Sequence, residues 1–326
     1  MNARRAVAAL LSLLALTLAG ATGCARPELD ARLQLWHHGQ LTIGTGPTNG
    51  VFNQLGSGYA DVVNRHLTGF EAVSMPTNGA LENLQRLARG DIDVGFTYAD
   101  VAGDAVTGKG SFAGSPVQVR ALARMFTAYM HVVVRPGTGV RTLADLRGKR
   151  VATGPAGSGT EILALRMLTA AGLDPAKDVQ RVTASLSQMT TTFAAGQLDA
   201  FFWTAGQPVV GLTALFGKLP GRVALLPTDA LVAVLDKDYP GAYTAATIPK
   251  DAYGLSADVA TVAVPCLLVT SPALPTEVGY ELTRLLFEHQ DELAAVHSEG
   301  RNINREVAWK TDPVPLHPGA RGYYGV

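Results

Sequence analysis

Leu87-Ala88-Arg89-Gly90-Asp91-Ile92-Asp93-Val94-Gly95-Phe96 closes a helix on a glycine, turns within two residues and opens an apolar strand behind an aspartate. Phe193-Ala194-Ala195-Gly196-Gln197-Leu198-Asp199-Ala200-Phe201-Phe202 repeats that order later in the chain. A glycine that ends a helix and leads at once into a strand is the chemistry of an αβ junction. Two such junctions predict two related α/β units. Common turn chemistry recurring by coincidence is the alternative reading of the echo.

Working outward, residues 41–45, 70–75 and 93–98 read as strands, with helices over 51–66 and 78–88, the latter carrying Leu81, Leu84 and Leu87 along one stripe. Extended segments follow at 117–126 and 130–135. The rhythm then restarts with a helical turn at 142–146, a strand at 149–153, a helix over 158–171 and strands at 180–183, 198–203 and 222–226. A segment rich in Tyr, Pro and Gly (239–253) precedes a β-forming run at 259–270 and a helix at 276–288, and reads as a return crossing. Strands alternating with helices predict parallel-dominated sheets flanked by helices. The expected fold class is therefore α/β with two lobes, a hinge and an interlobe cleft. Lobe I takes 40–135 plus 245–326 and lobe II takes 136–244. Ligands favour such domain boundaries and the C-terminal ends of parallel strands.

The N-terminus indicates where the protein works. Arg4 and Arg5 precede an apolar run at 6–19 and the small segment Gly20-Ala21-Thr22-Gly23-Cys24. That pattern reads as an export signal over 1–24, with 25–39 as a tether, and a buried N-terminal helix as the alternative. The run is short against the roughly 20 residues of a spanning helix. Ala21-Thr22-Gly23-Cys24 resembles a bacterial lipoprotein cleavage box, departing from it in having Ala21 where a larger aliphatic residue is usual. Lipidation at Cys24 is expected, with ordinary cleavage nearby as the alternative. The location that follows is the periplasm or the outer face of a bacterial membrane. Cys266 lies in an apolar run and reads as a core residue.

Charge excludes several function classes. The chain holds 27 basic and 27 acidic side chains, so removing Arg4 and Arg5 leaves a net charge of about −2. Such a balance offers no basic field for nucleic acid or anionic lipid. The histidines show no HExxH spacing, no serine sits in a GxSxG setting and no glycine loop carries the phosphate-loop lysine, so no metal, cofactor or catalytic residue is expected.

Two glycine-rich loops are the candidate binding elements. In Gly44-Thr45-Gly46-Pro47-Thr48-Asn49-Gly50, between a strand and a helix, the glycines permit close backbone approach. The following helix start attracts anions, and Thr45, Thr48 and Asn49 add donors. In Thr153-Gly154-Pro155-Ala156-Gly157-Ser158-Gly159-Thr160-Glu161 the same arrangement recurs, with the Ser158 and Thr160 hydroxyls beside helical N–H groups. Plain helix capping is the alternative for both. Tyr98, Trp203 and Gln207 lie at the ends of candidate strands, where an aromatic plane covers a solute's carbons and an amide bonds its polar atoms. Arg124 and Arg135 are further candidates, since an arginine grips a carboxylate through two parallel hydrogen bonds.

Several stretches together carry a family resemblance: Leu41-Thr42-Ile43-Gly44-Thr45-Gly46 with Gly50-Val51-Phe52, the run from Asn83 through Phe96, and Leu143-Ala144-Asp145-Leu146-Arg147-Gly148-Lys149-Arg150-Val151. Gly157-Ser158-Gly159-Thr160, Gly196-Gln197-Leu198-Asp199-Ala200 and Leu316-His317-Pro318-Gly319-Ala320-Arg321-Gly322-Tyr323-Tyr324 complete the set. In order and spacing, over about residues 40–324, the chain resembles the TAXI receptors of tripartite ATP-independent periplasmic (TRAP) transporters. The resemblance implies a two-lobed, type II-like periplasmic binding protein. It also implies a small carboxylate ligand such as glutamate or 2-oxoglutarate, and an integral membrane permease as partner. It makes Thr45, Gly46, Thr48, Asn49, Gly50, Phe52, Tyr98, Gly157, Ser158, Gly159 and Thr160 the expected contacts. The sequence departs from the family's pattern at Gly46-Pro47-Thr48-Asn49 and at Phe126-Thr127-Ala128-Tyr129, which bears on the solute more than on the fold. A receptor for a membrane signalling protein and a cleft enzyme are the alternative functions.

Overall fold

The computed structural model describes residues 36–48 and 50–326. The export segment, Cys24, most of the tether and Asn49 lie outside the described residues. The first βα set comprises β1 (Gln40–Gly44), α1 (Val51–His66), β2 (Glu71–Met75), α2 (Ala80–Arg89) and β3 (Val94–Tyr98). β1 pairs in parallel with both β2 and β3. Helix α3 (Ala99–Thr107) follows β3 directly, where no helix was expected. Its residues from Ala99 to Ala105 are all buried, Asp100 and Asp104 included, so this stretch has no solvent-exposed face to set off a helical period.

The next strand, β4 (Arg120–Val134), is one continuous element where two extended segments were expected. Nothing in Thr127-Ala128-Tyr129 breaks a strand; the chain changes partners there instead. The second set then runs β5 (Arg150–Ala152), α4 (Gly159–Ala170), β6 (Gln180–Val182), α5 (Leu186–Ala194), β7 (Ala200–Ala205), α6 (Val210–Lys218) and β8 (Ala224–Leu225). The chain returns through α7 (Val232–Asp238), β9 (Thr244–Ile248) and the long β10 (Val259–Thr270), and closes with α8 (Thr276–Glu288), α9 (Gln290–Val296), α10 (Arg305–Ala308) and α11 (Pro318–Tyr324).

The protein is a two-lobed α/β structure with mixed sheets flanked by helices. Strand order is β2-β1-β3-β10-β4 in the first lobe and β6-β5-β7-β4-β8 in the second, so both lobes share one plan. The strands of each βα set are parallel. Every antiparallel pairing among the described residues involves β4 or β10, which pass between the lobes. β4 pairs with β10 from Arg120 to Tyr129 and with β7 from Tyr129 to Val134. Just beyond Ala263, the partner of Tyr129, β10 slips register between Pro265 and Leu267, where proline lacks the N–H that a ladder needs.

The echoed aspartates do the same work in the two lobes. The Asp93 N–H donates to the Thr42 carbonyl at 2.9 Å while its carboxylate accepts the Thr42 N–H at 2.8 Å. Asp199 does this with Arg150, at 2.9 and 2.8 Å. Each carboxylate thus completes a parallel strand pair at its open start.

One core continues from the first lobe onto one face of the second, and includes Tyr59, Phe96, Val151 and Phe202. A second core, with Phe193, Phe201, Leu212, Ile248 and Tyr253, covers the opposite face of the β5–β7 sheet. Burying each such large side chain contributes about 1.5–3 kcal/mol. Cys266 is buried on β10 opposite Tyr98, and burial pushes its thiol well above its ordinary range. That state suits a core residue rather than a nucleophile.

Candidate functional site

The two lobes enclose a cleft of about 800 Å³. Six helices begin at its wall: α1 at Gly50, α2 at Gly79, α3 at Tyr98, α4 at Ser158, α5 at Ser185 and α6 at Val209. Their first N–H groups lack intrahelical acceptors and favour negative charge. Phe52, Tyr98, Phe126 and Trp203 supply aromatic walls, with Phe52 centred 5.2 Å from Tyr98 and 6.1 Å from Phe126. Among the described residues that line this cleft there is no Lys, Arg, Asp or Glu. His297 is the sole histidine there, and burial pulls its imidazole below the ordinary range toward the neutral form.

The start of α4 has the most closely defined geometry. Gly154, at φ +102°, lies so near Thr160 that an added Cβ would come within 2.7 Å of its Cγ2, so glycine is required there. Ser158 Oγ caps the helix by accepting the Glu161 N–H at 3.2 Å, and Thr160 Oγ1 accepts the Thr204 N–H at 3.1 Å. Both side chains are more than nine-tenths buried and both line the cleft. Neither hydroxyl proton has an acceptor among the described residues. The Glu161 carboxylate, the one negative group nearby, is held by the Gly157 N–H at 2.7 Å and by Arg181 at 2.6 Å.

Contacts across the cleft hold the lobes together. The Tyr98 hydroxyl donates to the Thr204 carbonyl at 2.9 Å, and its ring lies against Gly159 so closely that a Cβ there would stand 2.2 Å from Cδ2. Arg166 on α4 bonds Asp100 at 2.8 Å and also Asp104, both on α3, while Tyr243 donates to Asp100 at 2.6 Å. The Arg166 guanidinium lies 4.0 Å from the centre of the Tyr239 ring. Burial pushes the Asp104 carboxyl above its usual range against the pull of Arg166. Behind the cleft the Gln207 N–H donates to buried Glu299 at 2.8 Å.

A buried relay positions the start of α6 in the cleft wall. His131 Nδ1–H donates to the Trp203 carbonyl at 3.2 Å, and Tyr253 donates to His131 Nε2 at 2.9 Å while accepting the Val209 N–H at 2.9 Å. This arrangement requires a neutral imidazole. Burial supplies it by lowering the His131 pKa to about 4.

Of the residues singled out in the sequence, Thr48, Gly50, Phe52, Tyr98, Ser158, Gly159, Thr160 and Trp203 line the cleft. Trp203 both faces the cleft and packs on the second core. Thr45 is fully buried with its hydroxyl on the Met75 carbonyl at 3.0 Å, and Gly46 and Gly157 support the loops from outside the lining. Gln207 also lies outside the lining, with its backbone on Glu299. Arg124 sits in a separate small pocket and bonds Thr127 at 3.3 Å; Arg135 bonds the Phe193 carbonyl and stacks 4.3 Å over that ring. Sequence reasoning missed the starts of α2, α5 and α6. Ser185-Leu186-Ser187-Gln188 is a capping box by its own pattern and marks the second of these. His297 carries no local signal and enters the cleft only through the fold.

Fold and cleft together define a type II periplasmic solute-binding protein architecture. The chain belongs to the NMT1-like family, whose model matches residues 43–325. Among solved structures it is similar to the binding-protein component of an ABC phosphonate transporter from Pseudomonas aeruginosa, at 11% identity and a TM-score of 0.54 over 81% of this chain and 80% of that one. It is also similar to a Xanthomonas citri protein bound to chloride ion, at 13% identity and a TM-score of 0.53 over 88% and 95% of the two chains. At such identities the likeness is one of fold. No described helix is long and apolar enough to cross a membrane.

Proposed function

We propose that this protein is an exported receptor that holds a small carboxylate and delivers it to the integral membrane permease of a TRAP-type transporter, performing no chemistry on it. The observation that carries the reading is the pair of buried hydroxyls, Ser158 and Thr160, at the start of α4 in the interlobe cleft. Their free protons and the adjacent helical N–H groups suit a carboxylate head without an arginine clamp. Glutamate, 2-oxoglutarate and related acids are the solutes that the resemblance to TAXI receptors implies. Arg124, Arg135 and Gln207 are assigned no solute contact in this reading. Lobe I comprises 40–135 with 245–326 and lobe II 136–244, with one refinement: Ile248 and Tyr253 pack in the second core, which favours a return crossing within β10. Export, with a lipid anchor at Cys24, belongs to the same proposal.

The test is calorimetric titration of ligand-stripped protein with glutamate, 2-oxoglutarate, succinate and neutral amino acids. Saturable one-to-one binding confined to acids supports the reading. Binding of a neutral solute with silence across the acids overturns the carboxylate assignment.

A further inference from the structure

His66, at the C-terminal end of α1, meets the α8–α9 junction of the first lobe, where His289 and Glu292 stand. His66 Nε2 and His289 Nδ1 each lie 2.9 Å from the same oxygen, Glu292 Oε1. The two imidazoles stack with centroids 3.6 Å apart and planes 15° from parallel, which brings both nitrogens to one side. One donor atom from each of the three residues falls within 4.8 Å of the others. All three are partly open to solvent, with side-chain exposures of 32, 22 and 34% for His66, His289 and Glu292. Arg65 pairs with the other oxygen, Glu292 Oε2, and leaves Oε1 facing the imidazoles.

We propose that His66, His289 and Glu292 form a three-ligand site for a divalent transition-metal ion, separate from the solute cleft. Two imidazole nitrogens and one carboxylate oxygen are a donor set that zinc accepts, with solvent taking the fourth position. A tetrahedral ion about 2.0–2.1 Å from each donor holds the donors about 3.3 Å apart, so the two 2.9 Å contacts need to open by only a few tenths of an ångström. Nitrogen donors disfavour magnesium and calcium, which take oxygen ligands. Helix α1 begins in the cleft wall at Gly50 and ends at this site, so its 16 residues set the two about 24 Å apart. An ion here clips α1 to α9 across a sequence separation of 226 residues and stabilises the first lobe only when folded.

The test is calorimetric titration of the purified full chain, without a histidine tag, with zinc chloride and in parallel with magnesium chloride. The same titrations are run on His66→Gln and His289→Gln, which keep a side-chain donor toward Glu292 while removing the imidazole ligand. The expected result is saturable one-to-one zinc binding, weakened by more than about tenfold in each variant, since even outer-shell losses cost that much. Magnesium gives no heat, and zinc raises the melting temperature of the wild type alone. Absence of saturable zinc binding, zinc binding unchanged in both variants, or magnesium binding as tight as zinc each overturns the proposal. Unaltered solute binding in the variants keeps this outcome distinct from that of the cleft.

Discussion

The phenol of Tyr98, at the end of β3, donates across the cleft to the carbonyl oxygen of Thr204 on β7, 2.9 Å away. One bond thus joins the C-terminal end of a first-lobe strand to its counterpart in the second. It forms only when the lobes are together. Tyr98→Phe keeps the ring on Gly159 and removes the bond, so it is expected to weaken solute binding by about 0.5–1.5 kcal/mol, roughly two- to thirteenfold. Calorimetric affinity checks this, with the thermal midpoint expected to fall little.

Gly159→Ala acts on the same contact by crowding. A Cβ at this position stands 2.2 Å from Tyr98 Cδ2, while no left-handed φ opposes alanine on the helix. Overpacking of this kind costs about 1–3 kcal/mol. The cost is expected to fall on closure: affinity drops while helix content holds, and solution scattering reports a larger radius of gyration with solute present.

Arg166 stands between the buried carboxylates Asp100 and Asp104. Arg166→Met leaves both without their cation, and breaking such a pair costs about 3–5 kcal/mol. Urea unfolding is expected to show that loss. A companion variant, Asp100→Asn with Arg166 intact, is expected to lose less, because Asp104 still faces the guanidinium.

His131 makes stability depend on pH. Its pKa falls from 6.5 unfolded to about 4 folded through burial, so the native state binds fewer protons between those values. The sign follows: the contribution is fully present above pH 6.5 and is lost as pH falls through 6.5 toward 4, to about 3 kcal/mol in total. His131→Gln is expected to flatten the slope of unfolding free energy in that window, read by denaturant titrations at several pH values.

The strands and helices of the two βα sets were legible because each half-buried element keeps its period and each junction carries its glycine. The echo around Asp93 and Asp199 pointed to a shared plan, and the reciprocal bonds to Thr42 and Arg150 explain why an acid precedes each strand. Helix α3 was illegible because its residues from Ala99 to Ala105 are buried on every side. The continuity of β4 was illegible too, since a change of strand partner at Tyr129 leaves no mark on local sequence. For the cleft, loop chemistry identified Gly50, Ser158 and Thr160. Contacts made through distant chain, such as His297 in the wall or His66 beside His289, have no local signature. An arginine's role has no local signature either, because a guanidinium's attraction to carboxylates is matched by its attraction to backbone and aromatic faces, as Arg135 illustrates on Phe193.

The most direct measurement is the calorimetric affinity of a Ser158→Ala, Thr160→Val double variant for the acid that binds the wild type best. Hydrogen bonds to a charged group contribute about 1.5–3 kcal/mol each, so the account predicts at least a tenfold loss of affinity in a variant that remains folded. Unchanged affinity in the folded variant would contradict the placement of the carboxylate at the start of α4.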